Sequence, residues 1–328
     1  MPPVRVLPVL LSLCVLLSCP KATPARPART EKLALSPEAF KTIEKIYAFD
    51  MDGALEDARR MEQERPEHPL GYLLETEALW WKIWCVSAEF KYGMNDARRR
   101  PKLEADQHFL DLAEKISSLA EAQLKKQETA EMHFYAGMGY AQGARLYGLR
   151  FEARATARAG VRAREHLLRA IALDAELADA DLGLGLYNYY IDTLSSMARV
   201  LRFFMGIPGG SKQEGIHQLE YDIAQGELTP DAARFYLALN LHRYDQQYER
   251  ALGVIGPLAD KYPANPLFQL ARGDLYAKLG RKERAAGCYR AAAALTPSDA
   301  ECRKHLQKLA RESLAALGTG VEASSDKD

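Results

Sequence analysis

The sequence predicts an all-α protein made of stacked helix–turn–helix pairs, and two observations support that prediction. A helical spacing of apolar residues dominates from Ser36 onward, with no alternating strand pattern long enough to compete. Two stretches near the C-terminus also repeat the same pattern 34 positions apart: Ala251, Ile255, Leu258 and Pro263 recur as Ala285, Tyr289, Ala292 and Pro297. This period is typical of helix-pair arrays, whose stacked neighbours leave a concave surface. The architecture favours a protein that holds other molecules over one that transforms them.

The composition is that of a globular protein with a substantial core. Of the 328 residues, 48% are hydrophobic and 27% are charged, which excludes wholesale disorder. The formal net charge is zero, whereas nucleic-acid-binding proteins favour a basic excess, so we expect no nucleic-acid partner. The histidines are scattered and the cysteines show no metal-ligand spacing. We therefore expect no cofactor and no metal.

The N-terminus has the pattern of an export signal. A basic residue precedes an apolar run at 6–17, which is shorter than the ~20 residues that span a bilayer. The run ends in Leu16-Leu17-Ser18-Cys19, which resembles a bacterial lipobox. We expect a signal peptide at 1–18 and lipidation of Cys19, with ordinary cleavage near Ala25 as the alternative. This pattern predicts a protein of the periplasm or cell envelope, anchored to a membrane through Cys19.

The rest of the chain divides into three parts by composition. Residues 19–35 are rich in Pro, Ala, Lys and Arg and predict an extended tether. The helical array is expected at 36–316, and the small and polar residues 317–328 predict a flexible tail. Cys85, Cys288 and Cys302 would remain in the array after export. Cys288 and Cys302 are expected on adjacent helices and could pair, but separate buried thiols are the favoured interpretation.

The best-formed repeat units span 232–265 and 266–299. In the second unit Gly273 and Tyr276 allow close approach of two helices, and Gly280 ends the first of them. These units resemble tetratricopeptide repeats, and the exported chain resembles the repeat lipoproteins of the bacterial cell envelope. The resemblance implies a right-handed α-solenoid of about six helix pairs. A final amphipathic helix that caps the solenoid is predicted to carry His305, Leu306 and Leu309.

Weaker copies of the repeat precede these units. Residues 35–68 match by phase, Gly185 fits the first helix of a later unit, and Gly215 fits its second helix. The middle, 69–175, keeps helix–turn–helix character with longer helices. An insertion at 193–210 separates Gly185 from Gly215.

The family resemblance also implies a binding surface. In tetratricopeptide repeats the first helix of each pair lines the groove through fixed positions. Carried over by register, these positions are Tyr189, Tyr190, Tyr236, Asn240, Arg243, Tyr244, Leu270, Asp274 and Lys278. Such a surface would bind a protein or peptide, with tyrosines supplying contact area and cations holding a carboxylate. We therefore expect a non-enzymatic scaffold or adaptor whose partner the sequence does not name.

A remote alternative is a magnesium-dependent phosphohydrolase. The segment Phe49-Asp50-Met51-Asp52-Gly53-Ala54-Leu55 resembles the first motif of haloacid dehalogenase-type enzymes. In that motif one aspartate attacks phosphate, a second acts as acid and base, and both carboxylates help to hold Mg²⁺. No strand–helix alternation follows to build the required parallel sheet. The segment also fits a repeat, with Asp52-Gly53 as the turn between two helices and Ala54 opening the second helix.

Three other features have both a binding and a structural interpretation. The arginines of one predicted helix could hold an anionic membrane surface, or could pair with neighbouring carboxylates, which is the favoured interpretation. They are Arg150, Arg154, Arg158, Arg162, Arg164 and Arg169. Trp80, Trp81 and Trp84 favour a core between helices over an interface. The insertion contains Phe203 and Phe204, which would form either a docking lip or buried packing.

Overall fold

The structure, a computed structural model, describes Leu33 and residues 35–87 and 102–319, and it confirms the all-α class. These residues form 14 α-helices and no strand. The helices are α1 (Pro37–Tyr47), α2 (Met51–Glu64), α3 (Pro69–Ser87), α4 (Ala105–Leu124), α5 (Ala130–Leu149), α6 (Ala153–Leu173) and α7 (Ala180–Asp192). They continue as α8 (Ser196–Phe204), α9 (Lys212–Gln225), α10 (Pro230–Arg243), α11 (Tyr248–Lys261), α12 (Pro266–Lys278), α13 (Lys282–Ala294) and α14 (Ala300–Thr319).

The predicted terminal segments fall largely outside the described residues. These are the signal peptide at 1–18, the lipidation site Cys19, most of the 19–35 tether and residues 320–328 of the tail. At the inner edge of the predicted tether, Leu33 is buried in the core. At the other end α14 continues through residue 319, three residues into the predicted tail.

Local side chains start and stop several helices. Ser36, Thr129 and Ser211 each accept a hydrogen bond from the backbone N–H three residues on, which begins α1, α5 and α9. Asn265 does the same for α12. Gly280 has a φ of +71°, a left-handed conformation that ends α12 as predicted. The turn before α2 is shifted from its predicted place, because Asp50, and not Asp52-Gly53, caps a helix that begins at Met51.

Each helix packs mainly on its neighbours in the chain, so the elements follow one another in space. The exception is α8, because its two neighbours in the chain, α7 and α9, pack directly on each other. The four helices from α3 to α6 have 19–21 residues, and the helices from α9 to α13 have 13 or 14. The expectation of longer helices in the middle is therefore confirmed.

The repeated residues of the sequence lie in the core. Helices α10 and α11 occupy the first 34-residue unit, and α12 and α13 occupy the second. The apolar residues that recur between the units are all buried, with 0–2% of their surface exposed: Ala251, Ile255, Leu258, Ala285, Tyr289 and Ala292. Gly273 lets α12 approach α13, since a Cβ there would lie 2.6 Å from a ring carbon of Tyr289.

Helix α3 is buried on every side. Of its 19 residues, 16 are buried, and the pattern is apolar all round, as expected for a helix inside a protein. The helix packs on α1, α2, α4, α5 and α14. The Trp81 ring lies 4.8 Å from the ring of Phe235 in α10 and 5.6 Å from that of Phe268 in α12. This early helix therefore contacts the last repeats directly.

The two ends of the described chain are joined around α3. The side-chain amide of Asn265 donates a hydrogen bond of 2.9 Å to the backbone carbonyl of Tyr47. Cys85 of α3 forms a disulfide with Cys302 of α14, across 217 residues of sequence. The disulfide considered between Cys288 and Cys302 is therefore not formed, and the favoured expectation of separate thiols is wrong for Cys85 and Cys302. Among the cysteines that the structure describes, Cys288 is a free, buried thiol.

We expect Cys302→Ser to lower the free energy of unfolding by about 2–5 kcal/mol, because the disulfide closes a very long loop of the unfolded chain. Urea unfolding with and without a reductant measures the loss. The wild type should lose stability on reduction, and Cys302→Ser should not respond. Cys288→Ser is the control that keeps the disulfide. A wild-type midpoint unchanged by reductant would contradict the prediction.

A second prediction concerns the contact of α7 with α9. A Cβ at Gly215 would lie 2.6 Å from the carbonyl oxygen of Gly185 and 2.7 Å from the backbone nitrogen of Tyr189. Because both are backbone atoms, Gly215→Ala should force the helices apart and destabilise the protein by about 1–3 kcal/mol. Gly253 in α11 has no atom within 4 Å of that position, so Gly253→Ala should stabilise by up to about 1 kcal/mol. Thermal unfolding of both variants tests the contrast.

Candidate partner-binding surface

The residues predicted to line a groove divide into a buried group and an exposed group. The buried ones are Tyr189, Tyr236, Asn240, Leu270 and Asp274, with exposures of 0–8%. The exposed ones are Tyr190, Arg243, Tyr244 and Lys278. Only the exposed group is available to a partner in this structure.

The buried group is held by contacts inside the protein. The guanidinium of Arg145 in α5 donates a hydrogen bond of 2.7 Å to the Tyr236 hydroxyl and also pairs with Glu77 of α3. The Tyr289 hydroxyl donates to the Asp274 carboxylate at 2.6 Å. Helices α3 and α5 thus approach the side of α10 that the repeat register assigned to a ligand.

The exposed group forms the edge of a cluster of three tyrosines. The rings of Tyr189, Tyr190 and Tyr244 lie 5.8–6.2 Å apart, two of the pairs edge to face. Tyr189 is fixed because its hydroxyl donates to the Asp245 carboxylate at 2.8 Å and to the Asn240 carbonyl at 3.1 Å. Tyr190 and Tyr244 expose 39% and 44% of their surface. Rigid, half-exposed tyrosines of this kind are enriched in protein-binding surfaces.

A buried amide lies beneath these rings. The Asn240 side-chain oxygen accepts a hydrogen bond of 3.1 Å from the Tyr190 hydroxyl. The Asn240 amide nitrogen is buried and has no hydrogen-bond partner among the described residues. Burial of the hydroxyl end raises the pKa of Tyr190, although 39% of the residue's surface is exposed. Asn240 therefore positions the Tyr190 hydroxyl from inside the protein.

The surface carries positive charge. The guanidinium of Arg243 lies over the Tyr244 ring, 5.4 Å from its centre. Burial, followed by the charges of Lys278 and Arg243, lowers the pKa of His242 to about 4, so this histidine is neutral at physiological pH. Within the part of the chain that the structure describes, neither Arg243 nor Lys278 pairs with a carboxylate within 4 Å. The cations therefore remain available to an acidic group of a partner.

Three of the six arginines in the predicted row pair with carboxylates of other elements. Arg150 is buried and donates two hydrogen bonds, of 2.7 and 2.8 Å, to Asp106. Arg162 pairs with Glu121 at 3.3 Å, and Arg169 pairs with Glu128 at 2.8 Å. Pairing with carboxylates is therefore the interpretation that fits these three arginines. The carboxylates lie on α4 and in the loop before α5, so the sequence of the arginine helix alone could not identify them.

The three tryptophans and the aspartates of the 49–55 motif make contacts within the folded chain. Trp80, Trp81 and Trp84 are at most 8% exposed, so they belong to the core as favoured from the sequence. Asp50 caps α2 by accepting a hydrogen bond of 3.2 Å from the Gly53 N–H, and Asp52 lies 3.4 Å from Lys82. Because the described residues form no parallel sheet, the surroundings of a haloacid dehalogenase-type site are not present there.

One cluster of charged and polar side chains was not predicted from the sequence. Arg59, Glu62, Tyr72, Glu75 and His108 line a cavity of about 410 Å³ between α2, α3 and α4. Glu75 accepts hydrogen bonds from Arg59 at 2.9 Å and from His108 at 3.3 Å. Burial and the adjacent Glu75 carboxylate raise the pKa of Glu62 to about 8. The residues come from three helices at unrelated spacings, so only the packing brings them together.

No protein-family model matches the chain, and the comparison with curated proteins finds no relative. Within the described residues, no group of three or more His, Cys, Asp or Glu side chains is placed to hold a metal ion. None of the described helices is both long enough and apolar enough to span a bilayer.

The raised pKa of Glu62 predicts a pH-dependent stability. Between about pH 5 and pH 8 the folded chain keeps a proton on Glu62 that the unfolded chain has released. The free energy of unfolding should therefore fall as the pH rises through this window. Glu62→Gln should remove this contribution, so its melting temperature relative to wild type should rise from pH 5 to pH 8. Glu64→Gln, an exposed position on the same helix, is the control and should track the wild type.

Proposed function

We propose that this chain is a non-enzymatic adaptor of the bacterial cell envelope that binds a protein partner through Tyr190, Arg243, Tyr244 and Lys278. The observation that carries the proposal is a half-exposed tyrosine pair with Arg243 over one ring and Lys278 close to the adjacent His242, neither cation having a carboxylate partner in the described structure. Aromatic side chains and arginine contribute most of the energy of many protein interfaces. The cations favour a partner segment that carries acidic groups.

The proposal includes the finer architecture that the sequence predicts, a right-handed, tetratricopeptide-like α-solenoid with α14 as its cap. Sequential helix packing and two helix pairs at a 34-residue spacing support it. The binding surface differs from the usual one of such repeats, since α3 fills much of the inner side. The partner would therefore bind to the four predicted groove residues that remain exposed.

The proposal also places the chain outside the cytoplasm, with a lipid anchor at Cys19. The Cys85–Cys302 disulfide supports export, because stable disulfides form in oxidising compartments such as the periplasm. The lipobox-like sequence before Cys19 supports the anchor. A tethered adaptor would search for its partner close to one membrane.

Crosslinking and mass spectrometry on native membranes, followed by affinity measurement with the captured partner, test the binding surface. Tyr244→Ala should weaken binding by about 1–2 kcal/mol, or roughly 5–30-fold, because it removes a half-exposed aromatic contact. Arg243→Glu should weaken binding more at low salt than at high salt, because it reverses a charge that salt screens.

Two matched variants serve as controls. Phe40→Ala removes an aromatic ring that is 43% exposed on α1, against 44% for Tyr244. Arg284→Glu reverses a cation over the Tyr276 ring, as Arg243→Glu does over the Tyr244 ring. Both should bind like the wild type. Capture of the same partners with unchanged affinity by Tyr244→Ala and Arg243→Glu would remove the proposed surface.

A further inference from the structure

Helix α8 stands apart from the packed helices. It packs extensively on none of the other described helices, and α7 and α9 meet directly beneath it. The segment is nevertheless attached at its base. The Tyr187 hydroxyl donates a hydrogen bond of 2.8 Å to the Pro208 carbonyl, and the Lys212 N–H donates one of 2.9 Å to Asp192. A Cβ at Gly210 would lie 2.3 Å from the side chain of Ile191, which shows how closely the returning chain lies on α7.

The end of this helix exposes an unusual amount of apolar surface. Phe203 and Phe204 are 77% and 79% exposed, Met205 is 61% exposed and Val200 is 55% exposed. These are four of the eight large apolar side chains that the described residues leave exposed. The two phenylalanine rings contact each other edge to face at 5.8 Å. Apolar surface concentrated in this way marks a site of interaction with a protein or a membrane.

The charge around this apolar end has one sign. No carboxylate occurs between Asp192 and Glu214, whereas Arg199 and Arg202 lie on α8 itself. Arg199 donates to the Leu194 carbonyl at 3.0 Å, and Arg202 donates to the Ile207 carbonyl at 3.2 Å. These acceptors are neutral, and neither guanidinium pairs with a carboxylate among the residues that the structure describes. The segment therefore presents apolar side chains with positive charge behind them.

The arrangement of the exposed residues distinguishes a membrane from a protein groove. A helix that docks in a groove presents residues spaced by three or four positions on one face. Val200, Phe203 and Phe204 have this spacing on α8, but Met205 follows in the turn beyond the helix, so the exposed apolar surface continues from the helix face around its end. A single rigid surface covers only part of such a tip. A fluid layer of acyl chains covers all of it, and anionic headgroups lie at the level of the arginines.

We propose that α8 is a membrane-contact tip, in which Phe203, Phe204 and Met205 enter the interface of an anionic bilayer and Arg199 and Arg202 bind its headgroups. This contact is independent of the partner-binding surface proposed above. It would hold the folded body against one membrane in a defined orientation.

The test uses the full-length chain with Cys19→Ser, so that no acyl group is attached, and with Phe203→Trp as a local reporter. The native Trp80, Trp81 and Trp84 are at most 8% exposed, so only the new indole is open to solvent. Vesicles of phosphatidylcholine with phosphatidylglycerol should shift its emission to shorter wavelength, and brominated acyl chains should quench it. Pure phosphatidylcholine should bind more weakly, and added salt should reduce the difference.

Two further variants complete the test. Phe40→Trp places the reporter at a partly exposed ring on α1 and should show neither shift nor quenching. Arg199→Gln, combined with Phe203→Trp, should reduce partitioning to the anionic vesicles about fivefold and leave the neutral vesicles unaffected.

Two outcomes would overturn the proposal. One is unquenched emission from the residue-203 reporter while the protein sediments with the vesicles, which would mean that another segment makes the contact. The other is a shift that follows protein concentration without lipid, which would mean that a second copy of the chain covers α8.

Discussion

The burial of α3 is the constraint on which the rest of the structure depends. A helix that is apolar on all sides needs partners on all sides, and its immediate neighbours in the chain supply only some of them. The remainder come from α5 and α14, and from rings in α10 and α12 around Trp81. The C-terminal repeats are therefore bound to the N-terminal helices by a shared core. The Cys85–Cys302 disulfide lies at this contact and holds α14 against α3.

The shared core of the N-terminal and C-terminal helices limits which side chains are accessible to other molecules. Tyr236 and Asn240 lie at groove positions by repeat register, but the core and Arg145 occupy the space beside them. The predicted groove residues that stay exposed lie at the C-terminal ends of α7, α10 and α12, and a separate group of exposed apolar side chains lies on α8 and in the turn after it. Two surfaces of different chemistry result: half-exposed tyrosines with cations, and a strongly apolar tip backed by arginines. The two proposed contacts, one with a protein and one with a membrane, rest on these two surfaces separately.

The features predicted correctly from the sequence depend on contacts between near neighbours in the chain. Gly280 ends α12, and Gly185 and Gly215 lie on two helices that pack on each other, as the two helices of one repeat unit should. The cysteine pairing failed for the opposite reason. Adjacent helices suggested Cys288 and Cys302, but the partner of Cys302 is 217 residues away. The carboxyl pair of Glu62 and Glu75 was missed because its helices are set against each other by packing alone.

The helical class, the 34-residue spacing of the α10–α11 and α12–α13 pairs, and the burial of the apolar residues that recur between them follow from the sequence alone. Periodicity determines these because it acts within one helix or between consecutive helices. The contacts of α3 with α10, α12 and α14, the pairing of Cys85 with Cys302, and the burial of five of the nine predicted groove residues appear only in the tertiary structure. Those outcomes depend on how the apolar surface of a distant helix is covered, which no local pattern records.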